Sequence, residues 1–198
     1  ELDYIPTNII SAVKQIKKAG KGKKYDCIIG VSGGVDSTYV AYAVKELGLN
    51  PLAVHLDNSW NSELAVANIQ KIIDKLEIDL YTYVIDWNEF RDLQMSFLKA
   101  STPGMEIPTD HAIMSILSKV AAKENIKYII NGSNSSSEFI MAKSWSEGIA
   151  QRDWLLIKNV LKKFGKVKLK TFPRTSMLNF FYYKLFKKQS IVNILNYV

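Results

Sequence analysis

The chain has 198 residues, of which 47% are hydrophobic and 11% aromatic, so it can build a core and wholesale disorder is excluded. No apolar run approaches the roughly 20 residues that a transmembrane helix needs. The single cysteine, Cys27, has no internal disulfide partner, and no basic-then-apolar signal sequence opens the chain. These features favour a cytoplasmic protein with one α/β domain or one domain plus an appendage.

Charge is distributed unevenly along the chain. The net charge is +7, yet residues 154–198 contain ten Lys and Arg residues and no Asp or Glu. The remaining 153 residues carry 16 basic and 19 acidic side chains, a balance of −3. The basic excess therefore predicts an anionic neighbour for the C-terminal segment alone, and it argues against a body that coats nucleic acid.

Strand and helix patterns alternate through the first two thirds of the chain. Helical spacing of apolar residues predicts a first helix over 6–19, followed by a basic connection at 21–24. Buried strands are predicted from short apolar runs at 27–31 and 52–56, and further strands are predicted at 80–85 and 128–130. Helices are predicted between them at 37–47, 62–76, 89–99 and 112–122. This alternation predicts a three-layer, doubly wound parallel sheet of Rossmann-like type, with ligands beyond the carboxyl ends of the strands.

The pattern changes after about residue 148. A helix is predicted at 154–164 and a strand or extended arm at 167–171, and aromatic residues then alternate with lysines. We divide the chain into an N-terminal helix and connection (1–24), a central domain (25–148) and a basic aromatic appendage (149–198). The appendage has three candidate roles, which are packing within a longer protein, contact with a partner or second copy, and contact with an anionic membrane surface.

The most informative segment joins the first strand to the next helix and reads GVSGGVDS at residues 30–37. Gly33 and Gly34 let backbone amides approach an anion, and the helix start adds free N–H groups and the positive end of its dipole. Ser32 and Ser37 add hydroxyl donors. Asp36 fits a Mg²⁺ ion that bridges phosphates, although an ordinary turn with Asp36 as helix cap is the structural alternative.

The residues SGGVDS resemble the signature of the N-type ATP pyrophosphatases, or PP-loop enzymes, and no Walker-type lysine is present. The resemblance implies an adenine nucleotide alpha hydrolase-like fold in which ATP is cleaved between its α and β phosphates. It implies catalytic roles for Asp36 and Ser37. The ATP-binding residues that it implies are Val31, Ser32, Gly33, Gly34, Asp36, Ser37, Val54, His55, Leu56 and Asp57.

Other polar residues follow predicted strands or open a predicted helix. Asp57, Asn58 and Trp60 follow the second strand and are candidate substrate contacts. Asp110 and His111 open a helix, where an acid beside a histidine is suited to proton transfer, so we assign Asp110 to catalysis and His111 to the substrate. The structural alternatives are a helix cap at Asn61, Ser62, Thr109 or Asp110 and a packed, neutral His55.

The loop after the fourth strand reads NGSN at residues 131–134 and is followed by Glu138. Gly132 and Asn134 are candidate ATP contacts, and Glu138 is a candidate catalytic residue and a second metal ligand beside Asp36. Trp145 is a further candidate substrate contact. An ordinary Asx-turn loop is the alternative for this segment.

Together, SGGVDS, DNSWNSELAVANI, PTDHAI and NGSN with Glu138 are similar to the N-acetyl sugar amidotransferase family of lipopolysaccharide O-antigen and flagellar sugar biosynthesis. The likeness covers about residues 20–165. It implies ATP and Mg²⁺, and an N-acetyl sugar, on a nucleotide or lipid carrier, whose acetamido group becomes an acetamidino group. It also implies ammonia from a separate glutaminase through a cyclase-like channel subunit, both similar to imidazole glycerol phosphate synthase.

The sequence departs from this family in two ways. Family members carry a short cysteine-rich segment before the first helix, which this sequence does not contain, and they continue past the point where Val198 stands. Two other functions fit the sequence. One is a tRNA-modifying PP-loop enzyme of the lysidine ligase type, although nucleic acid is not the partner that the charge of the body favours. Cys27 lies inside a predicted strand, which argues against a PP-loop enzyme that thiolates tRNA.

The second of the two other functions is a nucleotide-binding module without turnover.

Overall fold

A computed structural model of the chain describes residues 7–102, 104–132 and 153–197. The strands are β1 (Cys27–Gly30), β2 (Pro51–Asp57), β3 (Asp79–Val84), β4 (Tyr128–Asn131) and β5 (Ser190–Asn193). All their pairings are parallel, and the five strands form one sheet in the order β3-β2-β1-β4-β5.

The described helices cover both faces of this sheet. They are α1 (Thr7–Gly20), α2 (Val35–Glu46), α3 (Glu63–Leu76), α4 (Trp87–Lys99), α5 (Ile107–Lys123), α6 (Trp154–Phe164) and α7 (Met177–Phe181). A π-helical turn (Tyr182–Phe186) extends α7, and a 3₁₀ turn (Ile194–Tyr197) follows β5. Within the described ranges, no helix combines the length and the apolar character needed to cross a membrane.

Two hydrophobic clusters, one on each face of the sheet, hold the layers together. Ile29 of β1 packs with Val40 of α2 and Ile73 of α3 in the first cluster. Ile28, the neighbouring residue of β1, points the other way and packs in the second cluster with the inner faces of α4, α5 and α6. Successive strand residues face opposite sides, so a strand buried on both faces must be apolar throughout. The predicted three-layer, doubly wound parallel sheet is confirmed.

The strand order places the central crevice between β1 and β4. The chain moves outward from β1 through β2 to β3 and then returns to place β4 on the other side of β1. In the order of the sheet, β1 is followed by β2 on one side and β4 is followed by β5 on the other side. At such a reversal of strand order, a crevice opens at the carboxyl ends of the two central strands. Gly132 follows β4 there, and a Cβ on it would lie 3.6 Å from Val40 Cγ2 and 3.9 Å from Ser37 Cα. The end of β4 therefore lies against the first turns of α2.

Two parts of the segment 149–198 belong to the layered core. In α6, Ile157 is fully buried in the second hydrophobic cluster. β5 pairs with β4, with Ile129 opposite Ile191. Residue 149 is therefore not a boundary of the hydrophobic core, and neither β5 nor the helical turns from Met177 to Phe186 were predicted from the sequence.

The stretch 166–172, which we call the C-terminal arm, contains bends and forms no strand, and acidic side chains of α4 bind it. Buried Glu89 accepts hydrogen bonds from the backbone N–H of Thr171 at 2.9 Å and of Phe172 at 3.1 Å. Asp92 accepts from the backbone N–H of Lys166 at 2.7 Å and of Val167 at 2.8 Å. This explains how a basic segment without acids of its own is fixed to the body.

Candidate functional site

The loop from Val31 to Gly34 is held by the serines that the sequence analysis selected. Ser32 Oγ and Ser37 Oγ are hydrogen-bonded at 3.1 Å, and the Ser37 hydroxyl also donates to the Gly34 carbonyl at 3.1 Å. The Ser32 backbone N–H donates to Ser37 Oγ at 3.2 Å. These bonds fold the loop back over the start of α2, so both hydroxyl groups lie together at the carboxyl edge of β1.

Gly33 is required by the local geometry. Its φ of +77° lies in the left-handed region, and a Cβ there would lie 2.3 Å from the Ala65 carbonyl oxygen of α3. Asn68, one turn further along α3, donates its amide N–H to the Gly33 carbonyl at 3.2 Å. The helix therefore supports the loop through close backbone contact and through one side-chain hydrogen bond.

The first turn of α2 is left open to an anion. Its N-cap is Gly34, which makes no side-chain capping bond, whereas α3, α4 and α6 begin at Ser62, Asp86 and Asp153, which do. The first N–H groups of a helix have no partner inside it, and they carry its positive dipole end. The loop and helix start thus fit the predicted pyrophosphate site.

Asp36 is exposed in this first turn and is the described carboxylate best placed to hold Mg²⁺ beside a bound phosphate. Mg²⁺ often binds one or two carboxylates, with phosphates and water completing its shell, so a single acid fits such an ion. Among the described residues, no group of three or more His, Cys, Asp and Glu side chains could hold a metal ion. The second predicted ligand, Glu138, lies outside the described residues.

Buried His55 links the end of β2 to the start of the loop. Its Nδ1 lies 2.9 Å from the Val31 carbonyl oxygen, and its Nε2 lies 3.2 Å from Asn61 Nδ2. A carbonyl only accepts and an amide nitrogen only donates, so these two contacts fit a ring that donates from Nδ1 and accepts at Nε2. Asn61 Nδ2 also donates to Asp57 Oδ1 at 3.2 Å. His55 is therefore a buried side chain that holds Val31 and Asn61 in position.

The loop after β2 brings polar and aromatic groups to the same edge. Asp57 Oδ1 accepts from the Ser59 N–H at 2.9 Å, and Asn58 Oδ1 accepts from the Trp60 N–H at 3.1 Å. The Trp60 ring is 61% exposed and packs edge-on against Trp87, with ring centroids 5.2 Å apart. These side chains are placed to line a substrate region, which stays a prediction.

The side chains of Val54 and Leu56, two predicted ATP contacts, are buried in the interior of the fold. Both side chains are buried in the hydrophobic cluster on the α4–α6 face, and the Val54 carbonyl accepts from the Val31 N–H at 3.0 Å. Only the end of β2, at Asp57, reaches the carboxyl edge. Their assignment to ATP therefore stays a prediction that rests on resemblance.

Asp110 and His111 lie in the first turns of α5. Leu117 packs 3.7 Å from the position of a Cβ on Gly30, so Asp110, seven residues earlier on α5, lies about 10 Å further toward the carboxyl edge. His111 is only 2% exposed, its Nε2 accepts from the Thr175 N–H at 3.2 Å, and its ring stacks on Phe172. His111 thus contacts the C-terminal arm. Asn134 and Trp145, like Glu138, lie outside the described residues.

Two asparagines, Asn61 and Asn68, support residues of the candidate site in a way that was not predicted from the sequence. Asn61 appeared only as a candidate helix cap, but Ser62 is the cap, since its Oγ accepts from the Ala65 N–H at 3.1 Å. Asn68 was not selected at all. A polar residue in the interior of an amphipathic helix is the signal that could have marked Asn68.

Comparison with known proteins shows the family of the chain. The sequence model of the NAD synthase family matches residues 8–164. The 7-cyano-7-deazaguanine synthase of Sulfurimonas denitrificans is 31% identical over 57% of this chain and 55% of its own length. The tRNA-specific 2-thiouridylase MnmA 2 of Fusobacterium nucleatum is 29% identical over 57% of this chain and 34% of its own. The chain spans about half the length of the curated relatives it matches, or less.

Among solved structures, the glutamine-dependent NAD⁺ synthetase from Acinetobacter baumannii, determined in complex with adenosine diphosphate, matches with a TM-score of 0.52. The match covers 78% of this chain and 31% of that chain at 14% identity, so it shows a shared fold. The family match covers most of the chain, including the β1–α2 loop and α3. The chain therefore belongs to the NAD synthase family, within the PP-loop superfamily of N-type ATP pyrophosphatases.

Proposed function

We propose that this chain is an ATP-dependent amidotransferase that adenylylates the acetamido oxygen of an N-acetyl sugar and replaces that oxygen with ammonia. The observation that carries the proposal is the β1–α2 loop. There Gly33 in the left-handed region, two hydrogen-bonded serine hydroxyls and a helix start without a side-chain cap support an anion site. Membership of the NAD synthase family supports ATP as the nucleotide.

The proposed reaction has two steps. In the first, the amide oxygen attacks the α-phosphorus of ATP, the bond to the bridging oxygen breaks, and pyrophosphate leaves. In the second, ammonia attacks the activated carbon, the carbon–oxygen bond breaks, and AMP departs with the former amide oxygen. Loss of protons from nitrogen completes the acetamidino group, so the products are amidine, AMP and pyrophosphate.

The residues of the loop contribute mainly electrostatics. Ser32, Ser37 and the N–H groups at the start of α2 stabilise the charge that grows on departing pyrophosphate. Asp36 would hold Mg²⁺, which when bound supplies positive charge to the phosphates. Asp110, on the carboxyl-edge side of α5, is the described candidate for moving a proton from the attacking nitrogen.

The N-acetyl sugar is proposed from the motifs that resemble the sugar amidotransferases. One described part of those motifs at the carboxyl edge, beside the phosphate loop and Asp110, is the loop with Asp57, Asn58 and Trp60. Sugars are commonly bound by planar hydrogen-bonding side chains together with an exposed aromatic ring, and this loop offers both. The proposed substrate is therefore an N-acetyl sugar that is attached to a nucleotide or lipid carrier.

Ammonia is proposed to come from a separate glutaminase through a cyclase-like channel subunit. The only cysteine of this sequence, Cys27, is fully buried in β1, and burial raises the pKa of its thiol. A protonated, buried thiol is a poor nucleophile, so Cys27 is unsuited to glutamine hydrolysis. Purified protein should form product with ammonium but not with glutamine. Product from glutamine alone would contradict the separate glutaminase.

The function is tested by incubating candidate N-acetyl sugars with protein, ATP, Mg²⁺ and ammonium. Mass spectrometry should detect the mass change that accompanies replacement of oxygen by an NH group, together with AMP and pyrophosphate. Asp36→Ala should abolish AMP formation, whereas Asp74→Ala, an exposed change on α3, should not. AMP formation that Asp36→Ala leaves unchanged would favour a binding module without turnover.

A second candidate is a tRNA-modifying ligase of the lysidine type. It is favoured by the basic segment 154–198 and by the likeness to a thiouridylase. The burial of Cys27 argues against thiolation by this cysteine. Exchange of labelled pyrophosphate into ATP distinguishes the two functions, because tRNA should stimulate it for the ligase and a sugar nucleotide should stimulate it for the amidotransferase.

A further inference from the structure

Large apolar side chains are exposed along α7 and the π-helical turn that extends it. Met177 is 69% exposed, Leu178 81%, Leu185 63% and Phe186 78%, and no residue of either element is buried. We call the surface formed by residues 177–188 the apolar–basic face. Soluble monomers rarely expose so many large apolar side chains together unless the patch contacts something else.

The lysines of this face lie beside its apolar side chains. By helical spacing, Leu178, Phe181 and Leu185 share one side of the segment, and Lys184 and Lys188 are exposed next to it. Lys187 Nζ lies 6.0 Å from the centre of the Tyr182 ring. No acidic residue occurs between 154 and 198, so these positive charges have no carboxylate neighbour in their own segment.

We propose that the apolar–basic face binds the surface of a membrane that contains anionic lipids, an interaction that goes beyond the proposed reaction. Lysines attract the negatively charged headgroups, while Leu, Met and Phe side chains enter the boundary between headgroups and acyl chains. The segregation of charge supports this partner, because residues 154–198 carry all the positive excess and the remaining residues have a balance of −3.

Two other partners fit the same surface less well. A second copy of the chain would bring two strongly basic segments together, and like charges across an interface oppose association. Single-stranded RNA is bound by aromatic rings and arginines. The face does expose aromatic rings, with Phe186 at 78%, but Met177, Leu178 and Leu185 are aliphatic and comparably exposed, and Arg174 is the one arginine between 154 and 198. Aliphatic and aromatic side chains together with lysines match a lipid surface.

A cavity of about 790 Å³ adjoins the face and strengthens the case for lipid. Met177, Phe180 and Tyr183 form part of its wall, and the charged side chains that line it are Lys158, Lys184 and Asp153. An apolar wall with ammonium groups nearby suits an acyl chain whose headgroup is negatively charged. RNA bases that stack on exposed aromatic rings would not need to fill this cavity.

The test is sedimentation of the protein with vesicles of phosphatidylcholine, with and without phosphatidylglycerol. We expect binding to the anionic vesicles at least about tenfold tighter than to the neutral ones, with a loss of affinity at high salt. Leu178→Glu with Leu185→Glu, and Lys184→Glu with Lys188→Glu, should each weaken binding about tenfold or more.

Matched controls lie on α3. Leu64→Glu with Val66→Glu replaces side chains that are 69% and 52% exposed, and Lys71→Glu with Lys75→Glu makes the same change of charge. These controls should bind vesicles within about twofold of the parent protein, and circular dichroism should show all variants folded. Absence of vesicle binding, equal binding to neutral vesicles, equal loss in the controls, or preferential binding of RNA would each overturn the proposal.

Discussion

The loop between β1 and α2 and the apolar–basic face are both assigned to anions, but they are built differently. Short groups that are held in place line the loop, where Ser32 Oγ and Ser37 Oγ lie 3.1 Å apart and Asn68 holds the Gly33 carbonyl. Long lysines on an exposed apolar segment form the face. Preorganised donors suit one small anion of fixed shape, whereas mobile lysines suit a diffuse charged surface. The difference teaches that the loop is suited to the reaction of ATP, whereas the face is suited to attachment at a membrane surface.

Gly33→Ala should have the largest effect on the loop. The new Cβ would lie 2.3 Å from the Ala65 carbonyl oxygen while the backbone keeps a φ of +77°. We expect about a hundredfold loss of ATP-dependent pyrophosphate release, because a small displacement of aligned groups is costly. The cost in stability should be about 1–3 kcal/mol, measured by urea unfolding.

Gly22→Ala is the matched control for Gly33→Ala. Gly22 has a similar φ of +78°, but a Cβ there meets nothing within 4 Å. It should lower stability through backbone strain alone and leave pyrophosphate release unchanged. Equal loss of activity in both variants would show that strain, and not contact with α3, makes Gly33 necessary.

Glu89→Ala should have the next largest effect, and it should act on the C-terminal arm. The substitution leaves the backbone N–H groups of Thr171 and Phe172 without their buried acceptor. We expect a loss of about 3 kcal/mol in the free energy of unfolding. Asp92→Ala, which removes the more exposed acceptor of the Lys166 and Val167 N–H groups, should cost about 1 kcal/mol. A reversed order of these two variants would contradict the role given to burial.

The layered fold could be predicted from the sequence because three of its strands, β1, β2 and β4, are buried on both faces. β1, β2 and β4 read as continuous apolar runs, and the helices between them have clear apolar faces. β5 escaped prediction because Ser190–Asn193 has only two apolar residues and lies at the edge of the sheet. A short edge strand depends on pairing with its neighbour more than on its own composition.

The candidate site shows the same limit. The loop was predicted because glycines and serines at a strand–helix junction have a direct chemical meaning. The contact of Asn68 with Gly33 was not predicted, because these residues come together only when α3 packs beside the loop. The contact of Asn61 with His55, six residues earlier, was not predicted, because it depends on how the chain turns after β2. Residues that support a site through another residue carry little local signal.

Asn68→Ala should have a smaller effect on the loop than Gly33→Ala. It removes the donor to the Gly33 carbonyl but leaves the loop sequence unchanged. One such hydrogen bond contributes about 1 kcal/mol, so the KM for ATP should rise about fivefold. Gln70→Ala, on the same helix and bonded to Asp74, is the control and should leave the KM unchanged.

The smallest effect is expected at the opposite edge of the sheet, where Lys24 and Asp79 form an exposed ion pair at 2.9 Å. Hydrogen bonds from Lys24 and then Tyr25 lower the pKa of the Asp79 carboxyl group. Its contribution to stability is therefore present above the ordinary Asp pKa and is lost as the pH falls through the lowered value. Asp79→Asn should lower Tm slightly at neutral pH and not at low pH. A large, pH-independent change would contradict this account.

The central claim is tested most directly by a crystal structure with an ATP analogue whose α–β bridging oxygen is replaced by carbon. The account predicts that the β and γ phosphates lie within hydrogen-bonding distance of the Ser32 and Ser37 hydroxyls and the first N–H groups of α2. A triphosphate bound elsewhere on the molecule, with residues 32–37 making no contact to it, would contradict the account.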